Sequence, residues 1–261
     1  MSDGRELATT AGREPALGSG AMFDRIAARY DFVNRVLSLG LDHGWRRHVV
    51  RALGLDARDP AAGAWCGATP RVLDVATGTG DLAIAIARAC PRATVVGLDP
   101  SSRMLAIAER KLARRGLDRQ ITLTVGDAQA LPYRDGEFDA ATIAFGIRNV
   151  PDRLLGLREL ARVVRPGGRV AILELGEPRS GVLAAAARFH TRHVVPRLGA
   201  LLSGAREYRY LQSSVAAFPP ADEFAALMRA ARLDVRTVQP LTFGACTLYL
   251  GVPLAGDVER A

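Results

Sequence analysis

The sequence predicts an α/β fold, with an open, mostly parallel sheet covered by helices on both faces and an antiparallel strand near its end. Three observations carry this. Strand-like and helix-like segments alternate from Arg71 to Gly176. Runs such as ATVVGL (93–98) are apolar without alternation, as expected of parallel strands buried on both sides. The end of the chain, DVRTVQPLTFGACTLYLG (234–251), holds two strand-like runs across a short turn, which suits a hairpin.

Each element follows from its own residues. RVLDVAT (71–77) reads as a strand and DLAIAIARAC (81–90) as an apolar helix. ATVVGLD (93–99) is the second strand, and the helix SSRMLAIAERKLARRG (101–116) has Ser101 as its predicted cap. ITLTVGD (121–127) and FDAATIAFG (138–146) are the third and fourth strands. PDRLLGLRELARVV (151–164) is a helix stopped by Pro166-Gly167-Gly168, and RVAILELG (169–176) is the fifth strand, giving seven with the terminal pair. Ahead of them, residues 22–55 carry helical spacing, with Trp45, Val49 and Leu53 four apart. DARDPAAGAWCGATP (56–70) reads as a linker. The predicted organisation is a disordered tail over 1–20, one domain over 21–253 and a short tail over 254–261. Within that domain, 21–55 is a helical cap and 181–219 an insertion.

Composition narrows the class. The chain has 261 residues, enough for a sizeable core, and 49% are apolar. No apolar run reaches membrane-spanning length, and the small, polar opening shows no signal-peptide core. Cys66, Cys90 and Cys246 are scattered, odd in number and without metal-ligand spacing, so a reducing cytoplasm and no metal are expected. The net charge of +8 would draw the chain to an anionic phospholipid surface. It is spread along the chain, almost all of it arginine, with Lys111 the only lysine. No basic run is interleaved with aromatics, so nucleic acid is not an expected partner.

Ligands of open parallel sheets sit at the carboxyl ends of the strands. There the first strand ends in Gly78, Thr79, Gly80 and Asp81, a turn in which glycine lets backbone approach a ligand. The second ends at Asp99, whose two oxygens can accept from both hydroxyls of a ribose. The third ends at Asp127 and Ala128, where a carboxylate can accept from an adenine amine. Taken singly, each could be a tight turn, a helix cap or a turn residue; in sequence, they describe an adenosine pocket. A dinucleotide would want a third glycine where Ala83 stands. It would also bring a pyrophosphate against Asp74 and Asp81, whereas an ammonium and a sulfonium would be attracted. The expected ligand is therefore S-adenosylmethionine.

The motif VLDVATGTGDLA (72–83) resembles the first motif of class I methyltransferases, which implies their Rossmann-like fold. More specifically, the chain is similar to the menaquinone and ubiquinone biosynthesis C-methyltransferases. The resemblance is carried by MFDRIAARYDFVNRVLSLGLDHGWRR (22–47), GDAQALPYRDGEFDAATIAFGIRNVPD (126–152), RVVRPGGRVAILELGEP (162–178) and HVVPRLGALLSGAREYRYLQSSVAAFP (193–219). It spans about residues 22–251, and the Phe-Gly-x-Arg-Asn and Tyr-Arg-Tyr-Leu segments are its more specific parts. It implies cofactor contacts at Thr79, Asp99 and the pair Asp127-Ala128. Three positions depart from the family: Asp127 where asparagine is frequent, Ala144 where some members use a serine contact, and Thr77 where many have glycine.

The resemblance further implies methyl transfer to a ring carbon of a polyprenylated quinol, most simply demethylmenaquinol. A 2-methoxy-6-polyprenyl-1,4-benzoquinol, a soluble acceptor, or a non-catalytic role in a quinone-biosynthesis assembly are the alternatives. Arg148 and Asn149, past the fourth strand, are the expected groups for stabilising a phenolate, with Tyr30 and His193 as candidates for proton handling. Competing readings pair Arg148 with Asp152, make Asn149 a helix cap, and leave Tyr30 and His193 as packing residues. The segment 181–219 is expected to cover an isoprenoid tail, with transient contact at the membrane surface.

Overall fold

The computed structural model describes residues 23, 24, 27, 35, 38, 40–55, 69–176 and 205–254. The expected tails apart from Leu254, most of the linker, Cys66, Tyr30, His193 and the greater part of 181–219 lie outside the described residues.

Seven strands form one sheet in the order β3-β2-β1-β4-β5-β7-β6. They are β1 (Arg71–Val75), β2 (Thr94–Asp99), β3 (Ile121–Val125), β4 (Phe138–Ala144), β5 (Val164–Leu175), β6 (Leu233–Leu241) and β7 (Cys246–Pro253). Neighbouring pairs from β3 to β5 are parallel, whereas β7 runs antiparallel to both β5 and β6. The terminal hairpin read from the sequence is therefore present, and its second strand lies between its first and the rest of the sheet.

The helices are α1 (Asp42–Ala52), α2 (Asp81–Ala89), α3 (Ser102–Ala113), α4 (Arg153–Val163), α5 (Ala205–Ala216) and α6 (Ala221–Ala230). Apolar side chains of α1, α2 and α3 form one core cluster with one face of the sheet. Those of α4 and α6 form a second cluster with the other face. Trp45, Val49 and Leu53 are all buried, as their four-residue spacing requires. Ser101 caps α3, its hydroxyl accepting from Met104 N at 3.1 Å.

One expectation needs correcting. Pro166-Gly167-Gly168 does not separate a helix from a later strand, because α4 passes directly into β5 at Val164. The register shifts between Phe138↔Val164 and Ala140↔Arg169, so the Pro-Gly-Gly segment is a bulge within the strand.

Candidate active site

The crossover from β1 to β4 at the centre of the sheet opens a crevice at the carboxyl ends of the strands. A cavity of about 310 Å³ lies there, lined by Asp99, Met104, Asp127, Ala128, Phe145 and Asn149 among others. A smaller cleft beside it is lined by Arg46, Asp74, Thr79, Asp81 and their neighbours. Ala76, Gly78, Ala144 and Phe145 line both, so the two meet at the ends of β1 and β4.

The backbone at this junction is unusual. Ala76 and Phe145 are non-glycine residues with φ of 52° and 59°. Left-handed backbone costs such residues of order 1–3 kcal/mol each and tends to cluster where ligands bind. Gly78, with φ of +57°, would carry a Cβ with nothing within 4 Å of it. A side chain there would stand in the space of the cavities. Gly80, at φ +82°, opens α2, and a Cβ on it would crowd Ala108 Cβ at 3.2 Å.

The acidic residues differ in kind. Asp74 is buried inside β1, where Oδ2 accepts from Thr77 Oγ1 at 2.6 Å and Oδ1 from Thr142 Oγ1 at 2.8 Å. Burial pushes its carboxyl up to about 6, against the opposing pull of those bonds. Asp99 is also buried; Oδ2 accepts from Gly78 N and Oδ1 from Ser101 N, both at 2.8 Å. It thus holds the glycine turn while each oxygen keeps further lone pairs. Burial raises its pKa, the two backbone bonds lower it, and the Asp24 charge raises it again, for a net rise. Asp127 is exposed and accepts from Gln129 N at 2.9 Å, so it is a turn residue that also lines the cavity.

Two cationic residues at this site were missed from sequence. Arg46 of α1 borders the smaller cleft, is bonded to buried Asp42 and sits over the Phe145 ring at 5.7 Å. Burial raises the Asp42 carboxyl, but its bonds to Arg46, His43 and Ser38 and the Arg46 charge outweigh this and leave it below its usual range. Lys111 donates to Thr79 Oγ1 at 2.8 Å and to Asp81 Oδ1 at 2.7 Å. Thr79 and Asp81 are therefore tied to α3. The fact that Lys111 is the only lysine was the available signal, but nothing in the sequence says that α3 passes beside the glycine turn.

On the acceptor side, Arg148 and Asn149 form a 3₁₀ turn, Ile147–Asn149, after β4. Arg148 is not among the residues lining either cavity. Its guanidinium turns back, Nη1 donating to Phe145 O at 2.6 Å and to Glu174 Oε1 at 2.5 Å. The expected turn of this side chain into the crevice is not seen, and the pairing with Asp152 is replaced by one with Glu174. The reason is position: β5 brings Glu174, buried, beside the turn, whereas Asp152 caps α4 by accepting from Leu155 N. Asn149, which is thus not the cap, lines the larger cavity, and its Oδ1 accepts from Tyr210 of α5 at 2.9 Å.

These residues suit a nucleoside that also carries an amino acid. Asp99 keeps lone pairs beyond its two backbone bonds, and Asp127 brings a second carboxylate to the wall of the larger cavity. Arg46 and Asp81 bring opposite charges to the smaller cleft. With the 3-2-1-4-5-7-6 sheet, this defines a class I methyltransferase that uses S-adenosylmethionine. A putative S-adenosylmethionine-dependent methyltransferase from Methanococcus maripaludis has the same fold, with a TM-score of 0.61 over 95% of this chain and 99% of that one, at 14% identity. The model of the ubiE/COQ5 methyltransferase family matches residues 14–253, and the chain belongs to that family. It is 46% identical over 244 residues to the ubiquinone/menaquinone biosynthesis C-methyltransferase of Syntrophotalea carbinolica, covering 93% of this chain and 98% of that protein. It is also 46% identical over 231 residues to the demethylmenaquinone methyltransferase of Deinococcus radiodurans, covering 88% and 90%. The chain is accordingly an S-adenosylmethionine-dependent C-methyltransferase.

Proposed function

We propose that this enzyme methylates a ring carbon of a polyprenylated quinol, and that its acceptor is demethylmenaquinol. The observation that carries the quinol reading is the wall of the larger cavity around Asn149, and the choice of the naphthoquinol rests on the relatives named demethylmenaquinone methyltransferases. There, among the described residues, Asn149 stands with Phe145, Gly146, Val150 and Pro151, while Gln129, the other neutral polar side chain of the lining, is engaged by Asp127 and Asp152. A largely apolar wall with few neutral polar groups suits a flat hydroxylated ring, and suits a charged or highly polar acceptor poorly.

When bound, the cofactor supplies an electrophilic methyl group on its sulfonium. The residues proposed to hold it are Asp99 and Asp127 at the nucleoside end and Arg46, Thr79 and Asp81 at the amino-acid end. Gly78, Gly80, Ala128 and Ala144 allow close approach of the backbone. Asp74 acts through Thr77 and Thr142, which fix the strand end. The acceptor carbon becomes nucleophilic as a neighbouring ring hydroxyl gives up its proton, and Asn149 is positioned to donate a hydrogen bond to that oxygen. Arg148 is proposed to act at one remove, by holding the carbonyl of left-handed Phe145. Tyr30 and His193 remain the candidates for accepting the proton.

A membrane-dissolved acceptor requires the enzyme to reach the bilayer. The charge of +8 favours an anionic leaflet. Phe243, 62% exposed, lies in the turn between β6 and β7 at the cavity end of the sheet. Its neighbour Thr242 bonds Trp45, which packs on Phe145. No described helix is long and apolar enough to cross a membrane, which fits contact at the surface. A benzoquinol acceptor is the second reading, favoured by the relative named for both quinone pathways. The quinone profile of a strain lacking this gene separates the two. Accumulation of demethylmenaquinone supports the proposal, whereas normal menaquinone with a truncated ubiquinone pathway refutes it.

A further inference from the structure

Resting on the reading that the acceptor ring meets Asn149, we propose that Tyr210 is a positioning residue that fixes which end of the Asn149 carboxamide faces the cavity. The site thereby offers the acceptor oxygen a donor. Among the described residues, the polar side chains of the larger cavity are Asp99, Asp127, Gln129 and Asn149. The two carboxylates, when ionised, can only accept. Gln129 is already engaged, with Nε2 on the Asp127 carboxylate and Oε1 accepting from Asp152 N at 2.9 Å. Among the described residues, Asn149 is therefore the lining amide whose orientation decides whether a ring oxygen meets a donor.

A carboxamide can present either end, because its oxygen and nitrogen are nearly the same shape. A phenol can donate or accept, but the positive charges of Arg148 and Arg153 act on Tyr210, draw its oxygen and turn its hydrogen toward Asn149, so Tyr210 biases the choice. Its hydroxyl donates to Oδ1 at 2.9 Å and leaves Nδ2, with its two hydrogens, as the end available to a ligand. The backbone of Asn149 is fixed independently by donation of its N–H to Gly146 O at 3.0 Å. Burial holds the Tyr210 phenol above its usual range despite the charges of Arg148 and Arg153, so the hydroxyl keeps its proton. The consequence concerns specificity. A ring oxygen carrying negative charge is accepted at Asn149 and repelled by Asp99 and Asp127, which fixes one orientation of the ring. The bond also ties α5, which arrives 61 residues later in the chain, to the turn that bears Asn149.

The test is a double-mutant cycle on the full chain, using single-turnover methylation of demethylmenaquinol at saturating cofactor, with cofactor affinity by calorimetry and melting temperature on each variant. Tyr210→Phe should slow methyl transfer by about three- to tenfold, the range for losing one neutral hydrogen bond, with cofactor affinity unchanged. Adding Tyr210→Phe to Asn149→Ala should slow it no further. Asn149→Asp still accepts from Tyr210 but has no donor, so it should fall at least as far as Asn149→Ala. A structural tyrosine would instead lower the melting temperature and slow both backgrounds equally, and that additivity overturns the proposal. So does a wild-type rate in Asn149→Asp, a result that holds even if Tyr210→Phe does not fold. A wild-type enzyme that methylates only the benzoquinol refutes the acceptor reading alone, and the same cycle is then read on that substrate. An enzyme that methylates neither quinol ends both.

Discussion

Arg148 and Glu174 form a buried ion pair, with Nη1 2.5 Å from Oε1 and the two side chains 7% and 0% exposed. The same carboxylate accepts from the backbone N–H groups of Arg148 and Leu175. Removing one partner strands a charge in the interior. Arg148→Met should therefore cost about 3–5 kcal/mol of folding stability, and Arg148→Met with Glu174→Leu should recover part of that loss. Chemical denaturation of the three proteins checks this. Equal stability of wild type and Arg148→Met would remove the structural role assigned here.

Asp74 makes stability depend on pH in a direction opposite to that of a salt-bridged acid. Its folded pKa is raised from 3.8 to about 6. The folded state thus binds the proton more readily than the unfolded one. Its contribution is full below pH ~4 and is lost as pH rises through about 6, by about 3 kcal/mol at 1.36 kcal/mol per unit. Asp74→Asn should flatten the stability profile over that window and be the more stable protein at neutral pH. A profile that keeps the same slope in the variant would contradict the assignment.

Much of this was legible in the sequence, for reasons visible in particular residues. β1, β2 and the glycine turn could be read because apolar runs and left-handed glycines are local signals. Asp99 and Asp127 could be placed because the carboxyl ends of parallel strands share one edge. What could not be read depends on distant approach. Lys111 reaches Thr79 from 32 residues away, Glu174 reaches Arg148 from 26, and Tyr210 reaches Asn149 from 61. The direction of the Arg148 side chain was misread for that reason. The Pro-Gly-Gly bulge was misread for another: a turn signal inside an apolar run can kink a strand without ending it.

Two variants test the cofactor end of the site. Arg46→Met should weaken S-adenosylmethionine binding by about 1.5–3 kcal/mol, the range for a charged hydrogen-bond partner. Asp99→Ala should weaken it to a similar extent and also lower the melting temperature, because Gly78 N and Ser101 N lose their acceptor. Arg46→Met should lower the melting temperature as well, because buried Asp42 loses its cation, so affinity is compared by calorimetry on the folded proteins. An Arg46→Met protein with unchanged affinity would remove the proposed carboxylate contact.

Membrane contact should combine charge with the exposed aromatic. The protein should sediment with anionic vesicles at low salt and much less at high salt. Phe243→Ser should weaken that binding without altering turnover on a detergent-dispersed, short-chain quinol. Failure to sediment with anionic vesicles at any salt would leave the charge of +8 as composition alone.

Mass analysis of the product formed from purified enzyme, methyl-labelled S-adenosylmethionine and demethylmenaquinol, beside a parallel reaction with 2-methoxy-6-polyprenyl-1,4-benzoquinol, identifies both the acceptor and the methylated atom. The predicted result is one labelled methyl group on a ring carbon of the naphthoquinol, formed faster than any benzoquinol product. Label on an oxygen, or no transfer to the naphthoquinol from an enzyme that binds the cofactor, would contradict it.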